Sequence, residues 1–343
     1  MSDTWAVVLA GGEGSRLRSL VRLVHEDPLP KQFATLVGSR SLLQTTLERV
    51  RAVAPPDRTM VVVSRGQEEL ARHQLAEWSE IEIVTQPENR GTALGILLPL
   101  ARLRRRHPNA SVAIFPSDHY VPRPTPYLDS VLGSLRSQGI TLLGVVPDRA
   151  DPDLGWIVPG RAFSQGMATV KRFVEKPDRT TAETLFQQGA LWNSFVITGQ
   201  LGHLWALASA HLPDDAAAFE GAGESAQIER LYQHERQVDF SRAILERAID
   251  LQVARVEGSG WTDWGTPERV LQSLDGSPAL DLLLSRILDG QRRSGGRMSS
   301  RGLSGLAAVW PTAWRGAPLC PTSATIPFTD ETLAAPTGVA NGL

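Results

Sequence analysis

The stretch Leu9-Ala10-Gly11-Gly12-Glu13-Gly14-Ser15-Arg16-Leu17 begins at the end of the first apolar run of the chain, Trp5 to Ala10. Three glycines within four residues leave the backbone free to approach a polyphosphate and to present its N–H groups. A helix starting after the loop would favour an anion at its N-terminus, and Arg16 adds a planar guanidinium suited to phosphate oxygens. The stretch therefore predicts a phosphate-binding loop between a strand and a helix. A tight turn without a ligand is the alternative.

The loop differs from the two commonest phosphate-binding motifs. A Walker loop ends in Gly-Lys-Ser/Thr, whereas Gly14 is followed by Ser15-Arg16. A dinucleotide fingerprint requires glycine at the position of Leu17. A dehydrogenase is therefore disfavoured, and a titration with NAD would test it.

Around this loop, short apolar runs alternate with longer amphipathic stretches. The runs are rich in Val and Ile and continuously apolar, which is typical of strands buried on both faces of a parallel sheet. Strand alternating with helix predicts an α/β fold of the doubly wound, Rossmann-like type with a mixed, mostly parallel sheet. The predicted strands are Trp5 to Ala10, Met60 to Val63, Ile81 to Val84, Val112 to Phe115 and Thr141 to Val146, and the predicted helices are Leu42 to Val53, Gln67 to Trp78, Ala93 to Arg106 and Tyr127 to Gln138.

The pattern divides the chain into one domain, one helix and a tail. From Gly155 to about Leu274 shorter strand-like and helical pieces alternate, and we interpret them as the second half of a single domain covering residues 1–275. Residues 276–290 predict one short helix after Gly276-Ser277-Pro278. Residues 291–343 begin with five arginines and no acid up to Arg315 and continue rich in Pro, Thr and Ala, which predicts a flexible tail.

Bulk composition excludes several classes of function. Of the 343 residues, 42% are hydrophobic and 21% charged, as in globular enzymes. The 35 Lys and Arg against 37 Asp and Glu give a net charge of −2, so no basic field would attract nucleic acid or a membrane surface. The single cysteine, Cys320, cannot form an internal disulfide, the N-terminus lacks a basic leader, and no apolar run could span a bilayer. We therefore expect a cytoplasmic protein without nucleic-acid or membrane partners.

Several polar motifs follow the glycine-rich loop, and each has an ordinary explanation by itself. Asp118 ends a strand, where ligands of doubly wound sheets lie and where a carboxylate can hold Mg²⁺, but an exposed turn residue is the alternative. Thr92 alone would start a helix, and Lys31 alone would be a surface group. Their order along the chain distinguishes them: Pro30-Lys31-Gln32-Phe33, Gln86-Pro87-Glu88-Asn89-Arg90-Gly91-Thr92-Ala93, Ile114-Phe115-Pro116-Ser117-Asp118-His119-Tyr120, Leu154-Gly155-Trp156-Ile157, Val174-Glu175-Lys176-Pro177, Leu191-Trp192-Asn193-Ser194-Phe195 and Gly260-Trp261-Thr262-Asp263-Trp264-Gly265-Thr266.

This ordered set, over roughly residues 5 to 274, resembles the sugar-nucleotide pyrophosphorylases, a family of nucleotidyltransferases, in the form that mannose-1-phosphate guanylyltransferases have. The resemblance implies that the loop residues Leu9, Ala10, Gly11, Gly12, Gly14 and Ser15 wrap a triphosphate whose charge Arg16 and Lys31 neutralise. It implies contact with the base for Gln86, Gly91 and Thr92, and one Mg²⁺ on Asp118 and Asp263. It implies a sugar 1-phosphate pocket made by Gly155, Glu175, Lys176 and Asn193. His119 belongs to the Asp118 motif, and we assign it a structural hydrogen bond, because an imidazole next to a carboxylate usually has that role.

The implied function is the synthesis of an NDP-sugar, GDP-mannose by resemblance, from GTP or another NTP and a hexose 1-phosphate, with release of pyrophosphate. Arg16, Lys31, Asp118 and Asp263 are the predicted catalytic residues. Two departures keep alternatives open: Gly91 stands in an asparagine position and Phe195 in a glycine position of the family pattern. A related enzyme with a different base or sugar, or a non-catalytic homologue that binds a nucleotide sugar, are these alternatives. A homodimer also stays open.

Overall fold

The computed structural model of the chain describes residues 3–293 apart from 26, 28, 165, 222–224 and 235–236. The last helix extends over Pro278–Arg293 rather than over the predicted 276–290. Of the predicted tail, 291–343, only residues 291–293 are described, and they belong to this helix. None of the described helices combines the length and apolarity that a bilayer-spanning segment requires.

The described strands form one mixed sheet in the order β3-β2-β1-β4-β8-β5-β9-β7-β6, flanked by helices. The strands are β1 Thr4–Leu9, β2 Thr59–Ser64, β3 Glu82–Gln86, β4 Ser111–Pro116, β5 Thr141–Val145, β6 Gly155–Ser164, β7 Met167–Glu175, β8 Leu191–Gln200 and β9 Gln252–Val256. The helices are α1 Arg18–Val24, α2 Leu42–Val50, α3 Glu68–Gln74, α4 Thr92–Arg106, α5 Pro124–Ser134, α6 Arg179–Gln187, α7 Leu201–His211, α8 Pro213–Gly221, α9 Ser225–His234, α10 Pro267–Leu274 and α11 Pro278–Arg293.

The first four strands are parallel. Strands β1, β2 and β4 are buried on both faces, as their continuous apolar sequences predict, whereas β3 lies at the sheet edge and is only partly buried. Along β1, Val7 belongs to the core on one side of the sheet, whereas Ala6 and Val8 belong to the core on the other side. A third apolar cluster joins α1, α10 and α11 beside the sheet. The α/β, doubly wound class with a mixed sheet is thus confirmed.

The second half of the domain holds the antiparallel pairings. Strand β8 runs antiparallel between β4 and β5, and the β6–β7 hairpin lies at the far edge. The sequence did not predict β6 or β9, because β6 becomes exposed along its second half and β9 is short with mixed burial. Before β9, residues Ser241–Leu245 form a π-helical turn.

The parallel register brings the predicted motifs to one edge of the sheet. Leu9 at the end of β1 is paired with Pro116 at the end of β4, and Ser64 at the end of β2 is paired with Gln86 at the end of β3. The glycine-rich loop, the Asp118 segment and Gln86 therefore leave the sheet side by side, at the carboxyl ends where such folds bind ligands.

Candidate active site

The glycine-rich loop is held by side chains that engage its carbonyl groups. The Gln32 amide donates to the Ala10 oxygen at 2.5 Å and to the Gly12 oxygen at 2.8 Å, and the Ser64 hydroxyl donates to the Gly11 oxygen at 2.8 Å. Tying these acceptors to the protein removes groups that would repel a phosphate. Gly14 has a φ of 58°, and a Cβ there would clash with the Lys31 side chain, so only glycine fits.

Lys31 lies between the two predicted metal-binding segments. Its ammonium is 3.1 Å from Asp118 Oδ2 and donates a 2.5 Å hydrogen bond to the backbone oxygen of Asp263. Only 6% of its side chain is exposed, so Lys31 is not the surface group that its sequence alone would suggest. A buried ammonium needs compensating charge, and Asp118 supplies it.

A short antiparallel bridge explains why acids 145 positions apart in sequence meet. Tyr120 and Thr262 exchange two backbone hydrogen bonds of 3.0 Å, and the Tyr120 ring stacks on Trp264 at 4.4 Å between centroids. Asp118 and Asp263 flank the bridge and line one cavity of about 340 Å³ together with Lys31. The structure thus brings the predicted pair of carboxylates together.

Arg269, on α10, holds Asp263 in place. One guanidinium nitrogen donates to both Asp263 carboxylate oxygens at 2.9 Å, and the other donates to Asp151 at 2.5 Å and to Asp153 at 3.3 Å. Because its side chain is only 8% exposed, these charge-assisted bonds lie in a weakly screened environment. Arg269 therefore ties the Asp263 segment to the loop that precedes Gly155.

Local charges fix the protonation of the groups at the cavity. Burial favours a higher pKa for the Asp118 carboxyl, but the Lys31 ammonium and its hydrogen bond outweigh burial, so that the pKa lies below its ordinary value. Burial lowers the pKa of His119 to about 4, so its ring is neutral at pH 7. Trp261 donates to His119 Nδ1 at 3.1 Å, which is consistent with the structural hydrogen bond expected of this histidine.

The donor set fits a hard divalent cation held by two protein carboxylates. Asp118 is ionised, and Arg269 takes only one of the lone pairs on each Asp263 oxygen, so both acids retain acceptor capacity. Within the described residues, no group of three or more His, Cys, Asp and Glu could hold a metal. One or two carboxylates completed by substrate phosphates and water is the usual environment of Mg²⁺.

Two further cavities adjoin this one. The larger, about 490 Å³, is lined by predicted nucleotide contacts: Leu9, Gly11, Gly12, Gly14, Gln86, Gly91, Thr92 and Asp118. The smaller, about 210 Å³, is lined by all four predicted sugar-site residues, Gly155, Glu175, Lys176 and Asn193, and by Arg16, His119 and Asp263. Arg16 and Ser15 also line the 340 Å³ cavity. Of the predicted site residues, Ala10 alone is not a lining residue of any of these three cavities; it is buried and bound through its carbonyl group.

On the nucleotide side, a backbone strap takes the place of the expected asparagine side chain. Gly91 has a φ of 91°, and a Cβ there would clash with the Val238 carbonyl. Residues 237–239 line the cavity at this point. The Thr92 hydroxyl accepts the Phe240 N–H at 2.8 Å, so Thr92 contributes mainly by holding the strap. Gln86 is buried and lines the same cavity.

On the sugar side, a hydrogen-bonding carboxylate and an ammonium are adjacent. The Lys176 ammonium is 3.3 Å from Glu175 Oε1. The Lys176 side chain is half exposed, and its backbone has a φ of 46°. Burial raises the pKa of Glu175, and Lys176 offsets this only in part. A Cβ at Gly155 would lie 2.7 Å from Glu175 Oε2, so glycine leaves the room that this carboxylate occupies.

Sequence reasoning missed four residues of the site: Gln32, Asp239, Ser241 and Arg269. Gln32 was visible, since it belongs to the Pro-Lys-Gln-Phe motif. Asp239 and Ser241 line the sugar cavity. Asp239 precedes a π-helical turn that begins at Ser241, and such turns are frequent at functional sites. For Arg269 the sequence held no signal, because an arginine in a helix is ordinarily exposed.

Comparisons with known proteins show which family the chain is similar to. A family model described as nucleotidyl transferase matches residues 5–275. Mannose-1-phosphate guanylyltransferase 2 of Escherichia coli O157:H7 is 29% identical over 286 residues, which cover 76% of this chain and 58% of that protein. The xanthan biosynthesis protein XanB of Xanthomonas campestris pv. campestris is 29% identical over 280 residues, covering 78% and 58%. The chain thus spans about 58% of the length of these curated relatives.

Among solved structures, a protein described as mannose-1-phosphate geranyltransferase from Thermus thermophilus is similar, with a TM-score of 0.71 and 28% identity. The alignment covers 80% of each chain.

Proposed function

The chain belongs to the nucleotidyl transferase family, and we propose that it joins the nucleoside monophosphate of an NTP to a sugar 1-phosphate. A phosphate oxygen of the sugar 1-phosphate forms a bond to the α-phosphorus, the bond from that phosphorus to the β-phosphate oxygen breaks, and pyrophosphate leaves. GTP and mannose 1-phosphate are the proposed substrates, because the relatives are named mannose-1-phosphate guanylyltransferases. GDP-mannose is then the product.

The residues of the chain align two anions that repel each other. The glycine-rich loop receives the triphosphate, and Arg16 and Lys31 offset negative charge as pyrophosphate departs. Lys176 offsets the charge of the attacking sugar phosphate, and Glu175 and Asn193 accept or donate hydrogen bonds to sugar hydroxyls. Bound by Asp118 and Asp263, Mg²⁺ would supply Lewis acidity and a template for the phosphates. No protein nucleophile is required.

One observation carries the proposal: the cavity lined by Lys31, Asp118 and Asp263 shares lining residues with the nucleotide cavity and with the sugar cavity. Gly14 and Asp118 line it and the nucleotide cavity, while Arg16, His119 and Asp263 line it and the sugar cavity. An NTP and a sugar 1-phosphate placed in the outer cavities would therefore meet at the residues suited to phosphoryl transfer.

The test is a pyrophosphate-release screen of four NTPs against several hexose 1-phosphates with Mg²⁺. We expect GTP with mannose 1-phosphate to be the best pair, and Asp118→Asn to reduce kcat at least about 100-fold. Asp148→Asn is the matched control, because Asp148 is largely exposed and pairs only with the adjacent Arg149 among the ion pairs of the described residues; its kcat should stay near wild type.

Each other outcome revises a specific part of the proposal. A different best pair would change the base or the sugar. Binding of nucleotide sugars without pyrophosphate release from any pair would identify a non-catalytic homologue. Wild-type turnover by Asp118→Asn would remove the proposed role of the carboxylate pair.

A further inference from the structure

A single wall separates the nucleotide cavity from the sugar cavity. Thr92, Pro116, Phe195 and Asp239 line both cavities, and Phe195 is the largest of the four. The sugar cavity, at about 210 Å³, is less than half the size of the nucleotide cavity, at about 490 Å³. A large side chain in this wall therefore reduces the volume of the sugar cavity, which is the smaller of the two.

The backbone at Phe195 is strained. Phe195 has a φ of 57°, in the left-handed region that costs a non-glycine residue about 1–2 kcal/mol. It lies in a bulge of β8, because Leu142 pairs with Ile197 but Gly144 pairs with Asn193. The Asn193 side chain accepts the Phe195 N–H at 3.0 Å and so holds the bulge. Bulges beside active sites redirect a side chain, and strain retained there indicates a functional constraint.

The ring is fixed as well as the backbone. Phe195 packs edge-to-face on Phe240, with ring centroids 6.4 Å apart and planes at 73°. Phe240 is itself anchored to the wall, since its N–H donates to Thr92. Glycine would satisfy the backbone without strain, so the benzyl group, not the bulge, is the feature that needs an explanation.

We propose that Phe195 sets the size limit of the sugar cavity, admitting hexose 1-phosphates whose ring substituents are hydroxyl groups and rejecting N-acetylated hexosamine 1-phosphates. The inference rests on the proposed function. An acetamido group adds several heavy atoms to the sugar, and the packing of the Phe195 ring on Phe240 restricts its movement away from them. A steric wall of this kind discriminates by about 10- to 200-fold.

The experiment compares wild type, Phe195→Gly and Phe195→Ala, with pyrophosphate release from GTP and either mannose 1-phosphate or N-acetylmannosamine 1-phosphate, two sugars that differ only in the C2 substituent. We expect the ratio of kcat/KM for the acetylated to the plain sugar to rise at least about 10-fold in both variants. Alanine keeps the left-handed strain and glycine relieves it. A rise in Phe195→Gly alone would therefore assign the effect to strain and overturn the proposal, as would an unchanged ratio in both.

Two measurements separate this inference from the proposed function. Phe163→Ala removes a phenyl group that is 49% exposed on β6 and lines none of the three cavities, and it should leave the ratio unchanged. If no NTP and sugar pair releases pyrophosphate, equilibrium dialysis of the two sugar phosphates against each protein gives the corresponding ratio of binding affinities for the acetylated and the plain sugar. A ratio of affinities that both variants leave unchanged would overturn the role of Phe195 even then.

Discussion

Replacing Arg269 by methionine should destabilise the protein by about 3 kcal/mol, at the lower end of the 3–5 kcal/mol for a buried charge that loses its partner. The lower end applies because Asp151 keeps a 3.0 Å bond to Arg149 and Asp263 borders a cavity. The two carboxylates are only 7% and 15% exposed, so water compensates little for the lost guanidinium. With an unfolding entropy of about 2.1 cal/mol/K per residue over about 290 residues, or roughly 1.6 °C per kcal/mol, the melting temperature should fall by roughly 5 °C.

Thermal unfolding followed by circular dichroism or calorimetry measures this effect. Arg255→Met is the matched control, because Arg255 is half exposed and pairs with Glu257 at 3.2 Å, an interaction worth about 0–1 kcal/mol. Arg269→Lys keeps the charge but loses the geometry that reaches three carboxylates, so its melting temperature should lie between those of Arg269→Met and wild type. Equal melting temperatures for Arg269→Met and Arg255→Met would refute the reasoning that Arg269 holds the two segments together.

Three further predictions concern the two outer cavities. Gly91→Asn restores the residue of the family pattern, but it should weaken NTP binding and lower the melting temperature because its Cβ would clash with Val238. Gly66→Asn is the control, since Gly66 has a φ of 87° and open space around it, and it should leave NTP binding near wild type in isothermal titration. Gly155→Ala should raise KM for the sugar 1-phosphate without raising KM for the NTP, since its Cβ would press on Glu175; equal changes in both constants would argue against it. Burial raises the pKa of Glu175 above 4.5, so the wild-type protein loses stability as pH rises from 4.5 through the folded-state pKa. The melting temperature of Glu175→Gln, relative to that of wild type, should therefore be higher at pH 7 than at pH 4. A difference in melting temperature that does not change with pH would contradict this prediction.

The parallel half of the fold could be predicted because burial on both faces produces continuous apolar runs, as in β1 and β4. The antiparallel half could not be predicted as fully, because β6 leaves the core midway and its outer residues have no apolar pattern. The carboxyl-end position of Asp118 followed from the strand that precedes it. Its proximity to Asp263 rested on resemblance, and physically it depends on the Tyr120–Thr262 bridge, which neither local sequence specifies.

The departures from the family pattern also became interpretable only in three dimensions. Gly91 was predicted to contact the base although it stands in an asparagine position of the family pattern, and the structure gives the reason for the glycine: a backbone strap from residues 237–239, 146 or more positions away in sequence, leaves no room for a Cβ. Arg269 was invisible because its partners Asp151 and Asp153 are 118 and 116 positions away. The fold determines which charged residues pair over such distances, and a single sequence does not identify the partners.

Backbone strain in this protein is concentrated where the chemistry is proposed to occur. Among the described residues, the non-glycine residues with positive φ are Lys176, Phe195, Asp250 and Trp264, and all but Asp250 belong to motifs of the site. Lysine, phenylalanine and tryptophan do not predict a left-handed backbone, so sequence could not reveal it. At two of these positions the surroundings fix the conformation: Trp264 is fully buried against Tyr120, and the Asn193 side chain accepts the Phe195 N–H. Because strain of this kind survives only where the rest of the structure outweighs it, the large apolar cores that flank the sheet are a condition of the site's geometry as well as of the fold.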